Sequence, residues 1–291
     1  RLDRRVFPAQ APRDGMYANW NNCVRRARGQ YVYMATSDDT MAPDCLERLV
    51  DGLERHPECG LAHASLRVID ELGREVGPRE THERIFFESS GPLADRRHVR
   101  MAPFDGLLHL SGNTVFTSMT QLLIRRTLFD QIGYFDGQWG SVGDFNWGMR
   151  AGLVTNTLHV PETWGGWRLH EAQATAAVVR DSRDYELKVR QMVSAALERL
   201  GGTDRAIASW VREHAVAEAE SLRDFQGAIK RIQAPGARWA FVLRHLLAGE
   251  ESARTHLVSK YMSHEPMWPA VCRRWAAALG VVDVLRALPT V

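Results

Sequence analysis

Two adjacent carboxylates, Asp38 and Asp39, follow a short β-prone run and Ser37 in this 291-residue chain. Carboxylate oxygens are ligands that Mg²⁺ and Mn²⁺ prefer, and a metal held there would neutralise a diphosphate and help it leave. The alternative is structural, because Asp39 or Thr40 could cap the helix that follows. The acidic pair therefore indicates either a metal site or a helix cap, and the pair alone does not distinguish the two.

Two further polar groups occur later in the chain. Asp144 follows Gly143 at the predicted start of a helix, where a carboxylate acts either as a cap or as a general base. Arg168 and His170 form an Arg-x-His element, in which arginine can fork onto phosphate oxygens and imidazole can bind a metal or donate to phosphate. A lone histidine is more often structural, so both interpretations stay open.

The elements that must position these groups alternate as in an α/β domain. Residues 15–28 predict a helix, residues 31–36 a strand that ends at the acidic pair, and residues 61–69 the next strand. Between the two strands, a second helix begins at Pro43. Because open α/β sheets bind ligands at the carboxyl ends of their strands, the acidic pair lies at a ligand-binding position.

The sequence between this unit and the Arg-x-His element is less regular. Residues 74–104 have weak periodicity and predict an irregular insertion or lid. The following predicted elements are a strand at 114–124, short helices at 125–131 and 145–151, and a last short strand at 157–160.

The final part of the chain, residues 177–291, predicts helices only, as the apolar spacing over 204–232 illustrates. We therefore predict two domains, 1–176 and 177–291, with no catalytic residue in the second. Tryptophan and arginine mix around Trp268 and Trp275. Such a mixture can lie on a membrane surface, bind a protein or simply pack, and these alternatives stay open.

Composition excludes several classes of protein. A net charge of +2 gives no reason to expect nucleic acid as a partner. The four cysteines lack C-x-x-C spacing, which argues against a disulfide framework or a zinc site and favours a cytoplasmic protein. No apolar run is long enough to span a membrane, although a peripheral location at its inner face stays open. The excess of arginine over lysine is typical of a GC-rich bacterial genome.

Residues 1 to about 176 resemble the family 2 glycosyltransferases of the GT-A fold. The matching stretches occur in the family's order and are Gly15–Asn21 with Ala27–Val32, Met41–Glu47, Leu123–Asp136, Gly143-Asp144 in place of an acidic dyad, and Arg168–His170 as the Arg-x-His element. The resemblance implies an α/β fold, a GT-A-like (Rossmann-like) mixed sheet flanked by helices, followed by the all-helical C-terminal region.

The resemblance also implies a function, namely inverting, metal-assisted transfer of a sugar from a nucleotide-diphosphate sugar to a carbohydrate, lipid-linked or protein acceptor. Asp144 is the predicted catalytic base, and a divalent metal, Mg or Mn, is predicted to bind Asp38, Asp39 and His170. The predicted substrate-binding residues are Asn21, Ser37, Trp147, Trp167 and Arg168. The tryptophans are included because aromatic faces commonly pack against sugar rings, with a core position as the alternative.

Three departures from the family pattern favour another interpretation. Thr36 occupies the place of the first aspartate of the D-x-D motif, and Gly143 replaces the first acid of the dyad. The family's first strand and first helix, which hold the base and ribose of the nucleotide, are expected before Arg1. The alternative function is a non-catalytic binding or scaffold module that retains the glycosyltransferase fold. A nucleotidyltransferase on a related α/β fold is a third interpretation.

Overall fold

A computed structural model describes residues 8–10, 12, 14–170, 182–263 and 265–289 of the chain. Within these ranges the chain forms one mixed sheet with helices on both faces and a helical C-terminal region. The strands are β1 (Tyr31–Tyr33), β2 (Thr40–Met41), β3 (Cys59–Ile69), β4 (His98–Arg100), β5 (Leu122–Arg125), β6 (Asn156–Arg168) and β7 (Leu285–Ala287).

The helices alternate with the strands up to β6 and then follow one another. They are α1 (Met16–Arg26), α2 (Cys45–Arg55), α3 (Arg79–His82), α4 (Arg84–Ser90), α5 (Phe104–Leu110), α6 (Arg126–Ile132), α7 (Gly143–Val154), α8 (Ser182–Leu200), α9 (Arg205–Trp210), α10 (Val216–Arg231), α11 (Pro235–Leu247), α12 (Glu251–Leu257) and α13 (Met267–Ala278). Short 3-10 helices span Gly91–Leu93, Met119–Gln121 and Gly137–Val142, and π-helical turns span Val211–Ala215 and Val258–Met262.

The sheet order is β1-β5-β3-β6-β4-β7, with β2 paired to β6. β3 and β6 are parallel, and β5 is antiparallel to both β1 and β3. The strands β1, β3 and β6 therefore run in one direction and end at the same side of the sheet. We call this side the carboxyl edge, and the chain leaves β1 there towards the predicted acidic pair.

Alternation along the strands explains the two layers of helices. In β3, Ala62 packs into a core with Leu49 and Leu53 of α2, whereas the neighbouring Leu61 packs on the opposite face. The two leucines of α2 are four residues apart and lie on one face of that helix. Burial of each such side chain stabilises the fold by about 1.5–3 kcal/mol.

Three sequence predictions are corrected by the strands. Residues 74–104 are not only an insertion, because β4 within them pairs with β6. Its three residues are all buried, so no polar alternation marks the strand in the sequence. The strand predicted at 114–124 is limited to β5, and the short strand at 157–160 is part of the much longer β6.

The C-terminal region is helical as predicted, but not exclusively, since β7 pairs with β4 and extends the sheet. Apolar side chains of α8, such as Met192, belong to the same core as Trp147 of α7. The predicted domain boundary after residue 176 lies outside the described residues. Among the described helices, none combines the length and apolar character needed to cross a membrane.

Candidate functional site

The acidic pair and the Arg-x-His element meet at the carboxyl edge, although about 130 residues separate them. His170 Nε2 lies 2.9 Å from Asp38 Oδ2. β2, which follows the acidic pair, pairs with β6 two to three residues before Arg168. This pairing brings the end of β6 beside the loop that carries Asp38. Both side chains are partly exposed, so the Asp38–His170 pair faces solvent.

Asp39 and Arg168 support the Asp38–His170 pair. The two oxygens of Asp39 accept hydrogen bonds from Thr36 Oγ1, at 2.6 Å, and from the Arg168 backbone N–H, at 2.9 Å. Burial raises the pKa of Asp39 and outweighs the opposing effect of these bonds. The structure therefore does not bring Asp39 into the pair with His170, where the sequence had predicted a third metal ligand.

The Arg168 side chain is also occupied by protein groups. Its Nε donates to Asp38 O at 2.8 Å, and its Nη1 donates to Asp70 O and Glu71 O at 2.8 and 3.1 Å. Three backbone carbonyls from two loops therefore surround the guanidinium. This arrangement gives Arg168 a structural role, because its guanidinium joins the loop after β1 to the turn after β3. Its contact with substrate stays a prediction.

The donor set tests whether a divalent metal fits here. Within the described part of the chain, no group of three or more His, Cys, Asp or Glu side chains is arranged to hold a metal. The Asp38–His170 pair supplies two donors, one carboxylate oxygen and one imidazole nitrogen. This set fits a cation that keeps several coordination positions for water and phosphate oxygens, and the nitrogen favours Mn²⁺ over Mg²⁺.

Asp144 lies in the first turn of α7. Its Oδ1 accepts hydrogen bonds from the Tyr17 hydroxyl and from the Phe145 backbone N–H, both at 2.9 Å. Burial raises the pKa of Asp144, and the hydrogen bond from Tyr17 opposes that rise. Burial also raises the pKa of Tyr17, so its hydroxyl stays protonated and able to donate.

Topology places Asp144 on the same side of the sheet as the Asp38–His170 pair. α7 ends at Val154, and β6 begins at Asn156 on the side opposite the carboxyl edge. The first turn of α7 therefore points back towards the carboxyl edge. At a rise of about 1.5 Å per residue, the 12 residues of α7 extend about 18 Å in that direction.

Gly143 cannot carry the acid that the family dyad places there. A Cβ on Gly143 would lie 2.5 Å from Asp136 O and 2.7 Å from Tyr17 Cε2. Real Cβ atoms essentially never approach other atoms so closely, so a side chain would displace Tyr17 or the backbone at Asp136. Glycine at position 143, where the family has an acid, therefore allows Tyr17 to pack closely against the start of α7.

Two predicted substrate-binding residues are structural. Asn21 is buried, and its amide donates to Phe135 O at 2.9 Å and accepts from Phe135 N–H at 3.0 Å. Trp147 is fully buried and donates from Nε1 to Gly133 O at 3.0 Å. An enclosed ring cannot present a face to a sugar, so the prediction for Trp147 is wrong. The Asn21 amide likewise uses its donor and its acceptor in hydrogen bonds to the Phe135 backbone.

The other two predicted substrate-binding residues stay accessible. Ser37 is exposed beside Asp38, and Trp167 is half-buried in β6, next to Arg168. Trp167 pairs with Val68 of β3 in the sheet register. Both residues are therefore within a few positions of the Asp38–His170 pair, and their role in substrate binding stays a prediction.

A buried polar cluster was not predicted. His63 Nδ1 lies 3.2 Å from His159 Nδ1, and Gln121 donates to Glu83 Oε1 at 2.8 Å. Burial lowers the pKa of His63 and His159 well below the usual value and that of His98 to about 4. These imidazoles are neutral at pH 7, and no spacing rule connects residues so far apart in sequence.

Comparison with known proteins bears on the predicted family. Residues 2–133, less than half of the chain, match the family described as Glycosyl transferase family 2. An uncharacterized protein of Mycobacterium tuberculosis (strain CDC 1551 / Oshkosh) is 26% identical over 174 residues, which are 60% of this chain and 53% of that protein. The chain thus spans about half the length of this curated relative. The predicted resemblance is confirmed over residues 2–133, and this match is consistent with a family 2 glycosyltransferase domain in that stretch.

Proposed function

We propose that this protein transfers a sugar from a nucleoside-diphosphate sugar to an acceptor hydroxyl, with Asp144 as the general base. The observation that carries the proposal is the Asp38–His170 pair at the carboxyl edge, on the side of the sheet to which Asp144 points. The family match supports a glycosyltransferase-type function for residues 2–133 and ends before Asp144 and His170. The roles of these residues therefore rest on the structural argument.

The proposed reaction is a single displacement. The acceptor oxygen bonds to the anomeric carbon as the bond from that carbon to the diphosphate oxygen breaks. The hydroxyl proton passes to Asp144, and the bonding electrons leave with the nucleoside diphosphate. A hydroxyl has a pKa far above 7, so a positioned base is needed as attack proceeds, and a single displacement inverts the anomeric centre.

Asp144 is suited to that role. Its hydrogen bonds from Tyr17 and Phe145 both end on Oδ1, so Oδ2 is the oxygen that would receive the proton. Burial raises its pKa towards the working pH, which makes a carboxylate a better base. The rigid ring of Tyr17, packed edge-on against Trp20 with centroids 5.3 Å apart, fixes the direction of Oδ1.

Asp38 and His170 would hold the divalent cation. When bound, such a cation offsets the charge that develops on the leaving diphosphate. Arg168 keeps the Asp38 backbone in place through its Nε, and Asp39 keeps the Arg168 backbone in place, so both act as positioning residues. Of the two predicted cations, Mn²⁺ fits the mixed oxygen and nitrogen donors better than Mg²⁺ does.

Calorimetry with a panel of nucleoside diphosphates and MnCl₂ tests the binding half of this proposal. Asp38→Asn is expected to weaken binding at least about tenfold, since the variant loses a charged ligand. Asp51→Asn on α2 removes a similarly exposed carboxylate and should bind as the wild type does. Unchanged affinity in Asp38→Asn would contradict the metal assignment. Mn²⁺-independent binding would favour the non-catalytic alternative.

A further inference from the structure

A cleft of about 420 Å³ opens between α8, α10 and the loop after α5. Its lining includes Asn113, Tyr185, Arg223, Lys230, Arg231 and Trp268. We call it the α8–α10 cleft. A volume of this size is typical of small-molecule sites, and the mixture of aromatic and polar side chains is what carbohydrate recognition requires.

The α8–α10 cleft lies beside the helix that carries Asp144, since side chains of α7 and α8 pack in the same core. Burial raises the pKa of Tyr185, while the charge of Arg223 lowers it and the charge of Asp144 raises it. At the end of α5, the His109 ring contacts Phe145 with centroids 5.3 Å apart. The cleft loop follows His109 directly, which brings it close to the start of α7.

The charge of the α8–α10 cleft is predominantly positive. Arg223, Lys230 and Arg231 line it, against one carboxylate, Glu186. Two acids outside the lining, Glu220 and Asp224, also act on Arg223, and both are bound to Arg190, at 3.6 and 2.7 Å.

Arg223 is the cation placed deepest in the α8–α10 cleft. Its Nη1 donates to Leu110 O at 2.8 Å, and its Nε is shielded from solvent without a hydrogen-bond partner among the described residues. A guanidinium in this state favours an anionic partner, because a carboxylate or phosphate can take up the remaining N–H groups. Lys230 and Arg231 at the exposed rim add attraction for the same charge.

We propose that the α8–α10 cleft binds the acceptor and that the acceptor is an acidic carbohydrate, bearing a carboxylate or a phosphate. The inference rests on the proposed function, since it places the reacting hydroxyl near Asp144. Arg223 binds the anionic group, and Tyr185 contacts the sugar ring. A neutral sugar leaves this partly buried cation without an anionic partner, and this difference provides the specificity.

Ligand-detected NMR with glucuronate, glucose 6-phosphate and glucose tests this site. One or both anionic sugars should bind at least about tenfold more tightly than glucose, the difference of one charge-assisted hydrogen bond. The preferred one identifies carboxylate or phosphate as the recognised group. Equal binding of all three sugars would overturn the proposal.

Variants locate the binding. Arg223→Gln tests the deep cation, and because Arg223 also bonds to Leu110 O, a Lys230→Gln/Arg231→Gln double variant at the exposed rim gives a second test. Both should lose about tenfold in affinity for the anionic sugar, whereas Arg205→Gln on α9 should not. Retained affinity in both cleft variants would refute the site.

Release of nucleoside diphosphate without acceptor is a separate readout, and its absence in the wild type would count against the proposed function instead.

A different observation concerns the outer face of α11. Trp239, Leu243 and Leu247 follow one another at four-residue spacing and are exposed, Leu247 by 88%. Tyr261 extends this face, with its ring 4.9 Å from that of Trp239, and Met262 beside it is 74% exposed. We call these five residues the α11 face. The opposite side of α11 packs through Val242 on Phe225, Ile229 and Ala253.

The charge around the α11 face is basic. The two acids of the segment are engaged, since Glu250 contacts His245 at 2.7 Å and Glu251 contacts Arg254 at 3.0 Å. Three cations, Arg238, Arg244 and Lys260, remain along the same segment. By contrast, the sequence had left open a membrane contact at Trp268 and Trp275, and both are buried.

We infer that the α11 face docks on an anionic lipid bilayer. Helices that lie in a membrane interface typically carry aromatic and leucine side chains on one face, with basic residues beside them.

In flotation with phosphatidylcholine vesicles, with and without phosphatidylglycerol, the chain should float only with the anionic lipid. Leu243→Gln/Leu247→Gln should abolish flotation, and Leu72→Gln, which changes a similarly exposed leucine, should not. No flotation, or a dimer in sedimentation that the double variant dissociates, would overturn the inference.

Discussion

Removal of the Tyr17 hydroxyl should raise the pKa of Asp144. The Tyr17→Phe variant deletes the 2.9 Å hydrogen bond to Asp144 Oδ1 and leaves only the bond from the Phe145 backbone N–H. The lost bond favours the ionised carboxylate, so the protonated form gains stability relative to it. A hydrogen bond to a charged group contributes about 1.5–3 kcal/mol, and one pKa unit corresponds to about 1.4 kcal/mol. The expected rise is therefore about one to two units.

The consequence for activity has a defined sign. A general base must be ionised, so activity falls as pH decreases through the pKa of Asp144. In Tyr17→Phe this acidic limb should move to higher pH by the same one to two units. The fold should persist, because the phenyl ring of the variant can keep the contacts that the Tyr17 ring makes with Trp20 and Phe135.

The assay is a ¹³C NMR titration of labelled aspartate carboxyls, with Asp144→Asn to assign the signal. Tyr31→Phe is the matched control, since its hydroxyl bonds to Glu54 on α2, far from α7. A pKa in Tyr17→Phe that equals or lies below the wild-type value would refute the reasoning. It would mean that burial alone sets the pKa of Asp144 and that Tyr17 has another role.

Three further predictions concern stability. Gly143→Asp should destabilise the fold by about 1–3 kcal/mol, because its Cβ would meet Asp136 O, and an unchanged urea midpoint would contradict this. Asn21→Ala should cost about 1–3 kcal/mol in the same measurement through its two bonds to Phe135, while nucleoside-diphosphate affinity is retained. A loss of that affinity in a folded variant would restore Asn21 as a substrate residue. Buried histidines with lowered pKa values bind protons more readily when unfolded. Stability should therefore fall as pH drops below about 6.5. For His98 and His109 the loss continues down to their folded pKa of about 4 and amounts to at most roughly 3 kcal/mol each. A urea midpoint at pH 5 equal to that at pH 7.5 would contradict this. The groups are His63, His98, His109 and His159.

The parallel strands and the carboxyl edge were predictable from sequence, because an apolar run that ends in carboxylates marks the end of a strand in α/β folds. The resemblance placed His170 near Asp38, and the structure has them 2.9 Å apart. Short strands were not predictable. β4 and β7 have three residues each, and β4 is buried throughout, so neither shows alternation.

Side-chain roles were harder to predict than elements. Residue type suggested that Trp147 and Arg168 contact substrate, yet tertiary packing encloses the first and surrounds the second with carbonyls. Tyr17 was missed because its contact with Asp144 joins residues 127 positions apart, which no local spacing encodes. The signal that could have found it is its place in the Gly15–Asn21 stretch that resembles the family.

Turnover by the Asp144→Asn variant decides whether Asp144 is the general base of an active glycosyltransferase. The wild-type chain is incubated with Mn²⁺, a panel of nucleotide sugars and acidic or neutral sugar acceptors, and released nucleoside diphosphate and glycosylated product are followed by mass spectrometry. We expect Mn²⁺-dependent product from the wild type and a loss of about 10²–10⁴ in rate for Asp144→Asn, with nucleotide-sugar binding retained. A folded Asp144→Asn variant that keeps more than about a tenth of the wild-type rate, or a wild type with no turnover, would contradict it.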